Sequence, residues 1–200
     1  NGRIQWSFYM LDSGRSNQTR RIGGWDYIDC SQVYWYVRTR DDINARYGPH
    51  SSLFFFHIPL PEYEEVWRTK TCYGSKNENI CVPKINSGLF TAMLEDEGVK
   101  GVFVGHDHTN DYNVLYRGVN LLYSQSSAYN SYIKRNDAAL IAKYVNLGKA
   151  DFNDGHTVFS VNKDGGITIT PVLNQDNPSL FDGLSEAHRK ELDLDKTLPQ

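Results

Sequence analysis

The sequence predicts one layered α/β domain. Apolar runs of strand length recur at Ile4 to Leu11, Leu53 to Phe56 and Val102 to Val104, and stretches with helical spacing lie between them. Two of the runs open directly into histidine-bearing loops. At 200 residues, with 40% hydrophobic and 22% charged residues, the chain can bury one real core and is too apolar for a disordered segment.

Ile4 to Leu11 reads as a buried strand stopped by the turn residues Asp12-Ser13-Gly14, and the polar stretch from Arg15 to Gly24 as a surface loop. Ser31 stands where a helix N-cap belongs. Val33, Tyr36, Val37 and Arg40 continue an amphipathic helix that Gly48-Pro49 ends. Leu53 to Phe56 is a short strand buried on both faces, and Glu62 to Pro83 reads as a long loop. A second helix, capped by Asn86 or Ser87, carries the stripe Leu89, Phe90, Met93 and Leu94 and closes at Gly98. Val102 to Val104, Val119 to Tyr123, Thr157 to Val161 and Ile167 to Val172 are strands, the last two joined by the turn at Lys163-Asp164-Gly165-Gly166. Residues 1–174 form the domain, and 175–200 a C-terminal extension with helical spacing.

A net charge of −3 with scattered Lys and Arg gives no footprint for nucleic acid, and no apolar run reaches the roughly 20 residues of a membrane span. Cys72 and Cys81 bracket a polar stretch that could close as a disulfide in an oxidising compartment, secreted or periplasmic. Three reduced thiols, Cys30 included, are the equal alternative. Asn17-Gln18-Thr19 matches a glycosylation sequon, a triplet frequent by chance. Gly-x-Ser-x-Gly and a glycine-rich phosphate loop are both absent from the sequence, so a serine elbow or a nucleotide cradle does not compete for the chemistry.

The chemistry gathers at two strand ends, Phe56-His57-Ile58-Pro59 and Val104-Gly105-His106-Asp107-His108. Loops at strand C-termini are where ligands collect in layered α/β folds, and neutral imidazole binds zinc, iron and manganese-type ions. Gly105 is expected to turn the backbone, so that His106 and His108, two apart on an extended segment, reach different ions. A histidine after an apolar strand is more often a hydrogen-bonded, half-buried residue, and it is the pairing of two such strand ends that favours ligands. His50, His156 and His188 read as solvated.

Gly105-His106-Asp107-His108 matches the Gly-His-x-His motif of the calcineurin-like metallophosphoesterases. The strings from Phe55 to Tyr63 and from Gly105 to Tyr112 resemble the purple-acid-phosphatase-like branch. The similarity runs from Tyr9-Met10-Leu11-Asp12-Ser13-Gly14, through Gln32 to Trp35 and Asn86-Ser87-Gly88, to about Tyr123, roughly the first two thirds of the chain. It implies a four-layer α/β/β/α sandwich of the metallophosphoesterase type, of which this chain is the C-terminal half. It also implies a binuclear centre of two divalent or trivalent ions, iron, zinc or manganese. By that resemblance His57 and His106 hold one ion and His108 the other, Asp107 is not a ligand, and Asp111 and Tyr112 line the substrate pocket or else pack the loop.

The implied activity is metal-dependent hydrolysis of phosphate esters, phosphomonoesters first, with water as nucleophile. A phosphodiesterase and a non-catalytic binding domain are the rivals. The family's Gly-Asp-x-x-Asp or Tyr and Gly-Asn-His motifs do not occur in the sequence, and Asp154-Gly155-His156 does not stand in for the upstream Asp-x-His, since its order and spacing are wrong. The expectation is therefore a partner segment upstream in the same domain or a degenerate member, and the chain alone is expected to be catalytically incomplete.

Overall fold

A computed structural model of the protein describes residues 3–124, 155–161 and 167–173. Strands β1 (Trp6–Met10), β2 (Ser51–Phe55), β3 (Tyr73–Ser75), β4 (Val99–Val104), β5 (Asp111–Tyr116) and β6 (Val119–Tyr123) form one sheet in the order β1-β2-β4-β6-β5-β3. Within it β1, β2, β4 and β6 run parallel, whereas β5 is antiparallel to β6 and β3 antiparallel to β5. Strands β7 (Gly155–Val161) and β8 (Ile167–Leu173) pair antiparallel, as the hairpin reading expects.

Because side chains alternate across a strand, the register sets two faces. One row runs Tyr9, Phe54, Val102, Leu121, Val114 across five strands. Onto that face pack Tyr36 of α1 (Cys30–Tyr47), Tyr63 and Val66 of α2 (Pro61–Thr69), and Leu89, Phe90 and Met93 of α3 (Leu89–Leu94). The opposite face carries Leu53, Phe103 and Leu122, with Trp6, Phe55 and Val161 of β7 against them. Helices on one face and strand residues on the other make an α/β layering of the expected class.

Several expectations are corrected. β1 is not buried throughout: its only partner among the described strands is β2, and Phe8 and Met10 are exposed at 47% and 65%. The N-cap of α1 is Asp29 rather than Ser31, its carboxylate accepting from the Ser31 and Gln32 amides. The stretch from Glu62 onward is not a loop, because Pro61 opens α2 at a position that needs no amide hydrogen, and β3 follows. Gly88 caps α3 in a left-handed conformation while Asn86 accepts the Gly88 amide, and the helix stops at Leu94, short of Gly98. β5 escaped the sequence reading although Tyr112, Val114 and Tyr116 alternate with polar or exposed neighbours. The turn at 163–166, the boundary at 174 and the helical tail lie outside the described residues.

Candidate metal centre

Four parallel strands bring their C-terminal ends to one edge of the sheet, and the ladder continues past them. The Leu11 amide donates to the Phe55 carbonyl (3.0 Å), Gly105 to His57 (3.2 Å) and Ser124 to Val104 (2.9 Å). The backbone thus carries His57 and His106 out side by side. His106 Nδ1 lies 3.1 Å from His57 Nε2, with the rings edge to face at 4.9 Å between centroids. Which of the two nitrogens donates is set by the tautomers of the rings.

The turn that separates the histidines is made by His106, not by Gly105. His106 has φ 110°, a conformation costing about 1–3 kcal/mol for a side-chain-bearing residue and persisting only where its surroundings over-determine it. Gly105 is not in the left-handed region, and a Cβ there would meet only ordinary contacts, 3.9 Å from the Ser124 carbonyl. Beyond His106 the chain is not extended either: the Asn110 amide donates to the Asp107 carbonyl (3.3 Å), so His108 sits within a turn.

That turn is tied down from two sides. Asp107 accepts from the Cys81 amide (2.8 Å) and from the Tyr123 hydroxyl. Glu78 accepts from the Thr109 amide and hydroxyl (2.7 and 2.8 Å), and Asn110 Oδ1 accepts from the Asn77 and Glu78 amides. The preceding loops close around the pair of rings. Trp25 stands edge to face on His106 at 4.3 Å, and buried Ser13 accepts the Ile58 amide at 2.9 Å, fixing the segment just after His57. Gly14, at φ +68°, passes so close to Asp26 that a Cβ would sit 2.5 Å from its carboxylate oxygen. Only glycine fits that turn.

Burial holds the proton affinity of His106 below the ordinary imidazole value, and the neighbouring His57 and His108 rings add to the effect against the pull of Asp107 and Glu78. A neutral ring is the form that binds a cation. Cys81 is pushed up to about 11 by burial and by Asp107, so without a bound ion its thiol is protonated near neutral pH.

Of the residues singled out from the sequence, His57 and His106 meet, and His108 lies near enough to act on His106 electrostatically. Among the described residues, no group of three or more His, Cys, Asp or Glu side chains is placed to hold a metal ion. Asp111 opens β5 at this same edge of the sheet, half-buried, with its carboxyl raised by burial. Tyr112 is instead a core residue, 1% exposed, donating to the Tyr63 carbonyl (3.1 Å) and packed on Trp67 and Tyr123. Its place in strand alternation turns it away from any pocket. Cys30, Cys72 and Cys81 are all free thiols, so the reduced alternative describes them. His50 is not merely solvated, since it bonds Ser7 Oγ (2.7 Å), and His156 lies in β7. Sequence reasoning missed Trp25, Ser13 and Glu78; none carries a spacing signal, because tertiary contacts alone bring them to the site.

No family model matches the chain. Over 136 residues it is 36% identical to probable inactive purple acid phosphatase 29 of Arabidopsis thaliana, covering 64% of this chain and 35% of that protein. Over 114 residues it is 39% identical to phosphatase DCR2 of Saccharomyces cerevisiae, covering 53% of this chain and 19% of that protein. The chain is a homologue of purple-acid-phosphatase-like proteins. A solved dimetal phosphatase from Danio rerio superposes with a TM-score of 0.37 at 14% identity, over 50% of this chain and 28% of that one. The chain spans about a third of the length of the Arabidopsis relatives it matches. No helix among its described residues is long and apolar enough to cross a membrane.

Proposed function

We propose that this purple-acid-phosphatase-like chain supplies His57, His106 and His108 to a two-metal hydrolase of phosphate esters, acting on phosphomonoesters with water as nucleophile. The observation that carries it is the 3.1 Å approach of His57 Nε2 and His106 Nδ1 at the ends of adjacent parallel strands. With metal–nitrogen bonds of about 2.0–2.1 Å, two imidazoles on one ion hold their nitrogens roughly 2.9–3.4 Å apart, so the spacing of the pair fits one ion. His106 Nε2, buried and without a hydrogen-bond partner among the described residues, gives the same ring a second nitrogen. The carboxylates at hand do not complete a set, because Glu78 is bonded to Thr109 and Asp107 to Tyr123 and Cys81. In this reading the oxygen ligands come from an upstream half of the same domain.

Ions bound there would polarise a phosphate ester and make water nucleophilic near neutral pH. The chain's own residues prepare the place. The Gly105–His57 backbone bond sets the two rings side by side, Trp25 covers one side of His106 against water, and burial keeps His106 neutral. Asp111, at the same edge, is suited to meet the substrate's polar groups.

A second reading, a domain that keeps the fold without catalysis, is favoured by the lack of a three-donor group among the described residues and by the name of the Arabidopsis relative, probable inactive. One experiment separates them. Protein expressed from the complete reading frame is assayed for bound metal and for hydrolysis of p-nitrophenyl phosphate and bis-p-nitrophenyl phosphate. The proposal expects bound zinc, iron or manganese, faster monoester cleavage, and loss of both metal and activity in His57→Ala and His108→Ala. Unchanged rates in the two variants refute it, a preferred diester makes it a phosphodiesterase, and metal-free inactive protein selects the second reading.

A further inference from the structure

Asp107 separates the two histidines of the motif, and it is only 2% exposed. A carboxylate is costly to bury unless hydrogen bonds satisfy it, and a side chain that merely filled space here would be apolar. The bonds it makes form a closed loop. The Asp107 amide donates to the Tyr123 hydroxyl at 2.8 Å, that hydroxyl donates back to Asp107 Oδ2, and the same oxygen accepts the Cys81 amide at 2.8 Å. Both the backbone and the side chain of one residue are therefore held by a single phenol. That phenol cannot drift: Tyr123 is fully buried in β6, its ring enclosed by Tyr63 (5.9 Å) and Tyr112 (5.5 Å). Immediately before Asp107 stands His106 in its strained conformation, and immediately after it His108.

We propose that Asp107 and Tyr123 form a clasp that positions the His106 and His108 rings, making Asp107 a positioning residue at the place where the motif specifies none. The metal consequence rests on reading those two histidines as ligands; the positioning itself does not. The Gly105–His57 bond fixes the chain on one side of His106 and the clasp fixes it on the other, which is the over-determination a positive φ requires. Cys81 extends the hold to the loop that carries Glu78, so the clasp also sets how that carboxylate faces His106.

The test begins with metal-free protein and the ring nitrogen signals of its histidines in two-dimensional NMR. Tyr123→Phe removes one oxygen from a packed ring and is expected to shift or broaden the His106 and His108 signals while His50, at the opposite edge of the sheet, stays in place. Zinc or cobalt(II) affinity should then weaken by about 10- to 100-fold, the usual effect of losing a group that orients metal-binding residues. Asp107→Ala should do the same. Asp107→Asn keeps an acceptor oxygen for Tyr123 and Cys81, and should recover most of the affinity that Asp107→Ala loses. Unchanged ring signals in Tyr123→Phe overturn the proposal, as does an Asp107→Asn protein that binds metal no better than Asp107→Ala. Wild-type protein that binds no metal contradicts the hydrolase reading instead, and the ring signals still decide the clasp.

Discussion

Two buried serines on neighbouring elements should respond to the same substitution with opposite sign. Ser13, 3% exposed, accepts the Ile58 amide at 2.9 Å and so ties the turn after β1 to the segment after His57. Ser52, 1% exposed in β2, has a hydroxyl with no hydrogen-bond partner among the described residues. Ser13→Ala strands the Ile58 amide in the interior, which costs about 1–3 kcal/mol, because the desolvation of that group is no longer offset. Ser52→Ala deletes a buried hydroxyl that was never satisfied, and so should be neutral or stabilising by up to about 1 kcal/mol. Urea melts of the two variants and the wild type measure both differences on one scale. At roughly 2–4 °C of melting temperature per kcal/mol for a chain of this size, thermal melts should order them the same way. Equal losses in the two variants, or a Ser13→Ala protein as stable as wild type, would show that the turn after β1 does not hold the His57 segment.

Asp29 caps α1 through the Ser31 and Gln32 amides, so Asp29→Ala should cost about 0.5–2 kcal/mol at neutral pH by denaturant melts. Its hydrogen bonds from Ser31 and Gln32 hold the carboxyl below the usual value. The stabilisation is therefore complete above the unfolded value of about 3.9 and is lost as pH falls through the lower folded value, where wild type and variant should converge. Persistence of the difference at roughly pH 2 would contradict the capping role. Cys81, held at about 11, carries thiolate on only about one molecule in a thousand at pH 8, so iodoacetamide followed by mass spectrometry should label exposed Cys30 first and Cys81 last. Early labelling of Cys81 would mean that its contacts with Asp107 and the neighbouring loop are broken.

The parallel strands of the site were legible because burial on both faces leaves a continuous apolar run, as in Leu53-Phe54-Phe55, and because such a run stops where the loop begins. That is why His57 and His106 could be placed at strand ends from sequence. Helix α2 was hidden by Pro61, which as readily ends a strand as opens a helix, and β5 by Asp111 and Asn113, whose polarity belongs to alternate positions of a half-buried strand. The site's inner construction left no local trace. Spacing assigned the turn to Gly105, the permissive residue, whereas contacts far away in sequence, at Tyr123 and Cys81, hold His106 in the conformation that a glycine would adopt freely. Tyr112 was drawn to the pocket by its nearness to the motif, but strand alternation sends it to the core.

The central claim is that His57, His106 and His108 gather around bound cations. Titration of the protein with manganese(II), followed through the ring signals of its histidines, tests it most directly, because a paramagnetic ion broadens only the rings beside it. Broadening of residues 57, 106 and 108 at sub-stoichiometric manganese, with His50 left sharp, is the predicted result. Uniform broadening of every histidine, or sharp signals from 57 and 106 at saturating metal, would contradict the claim.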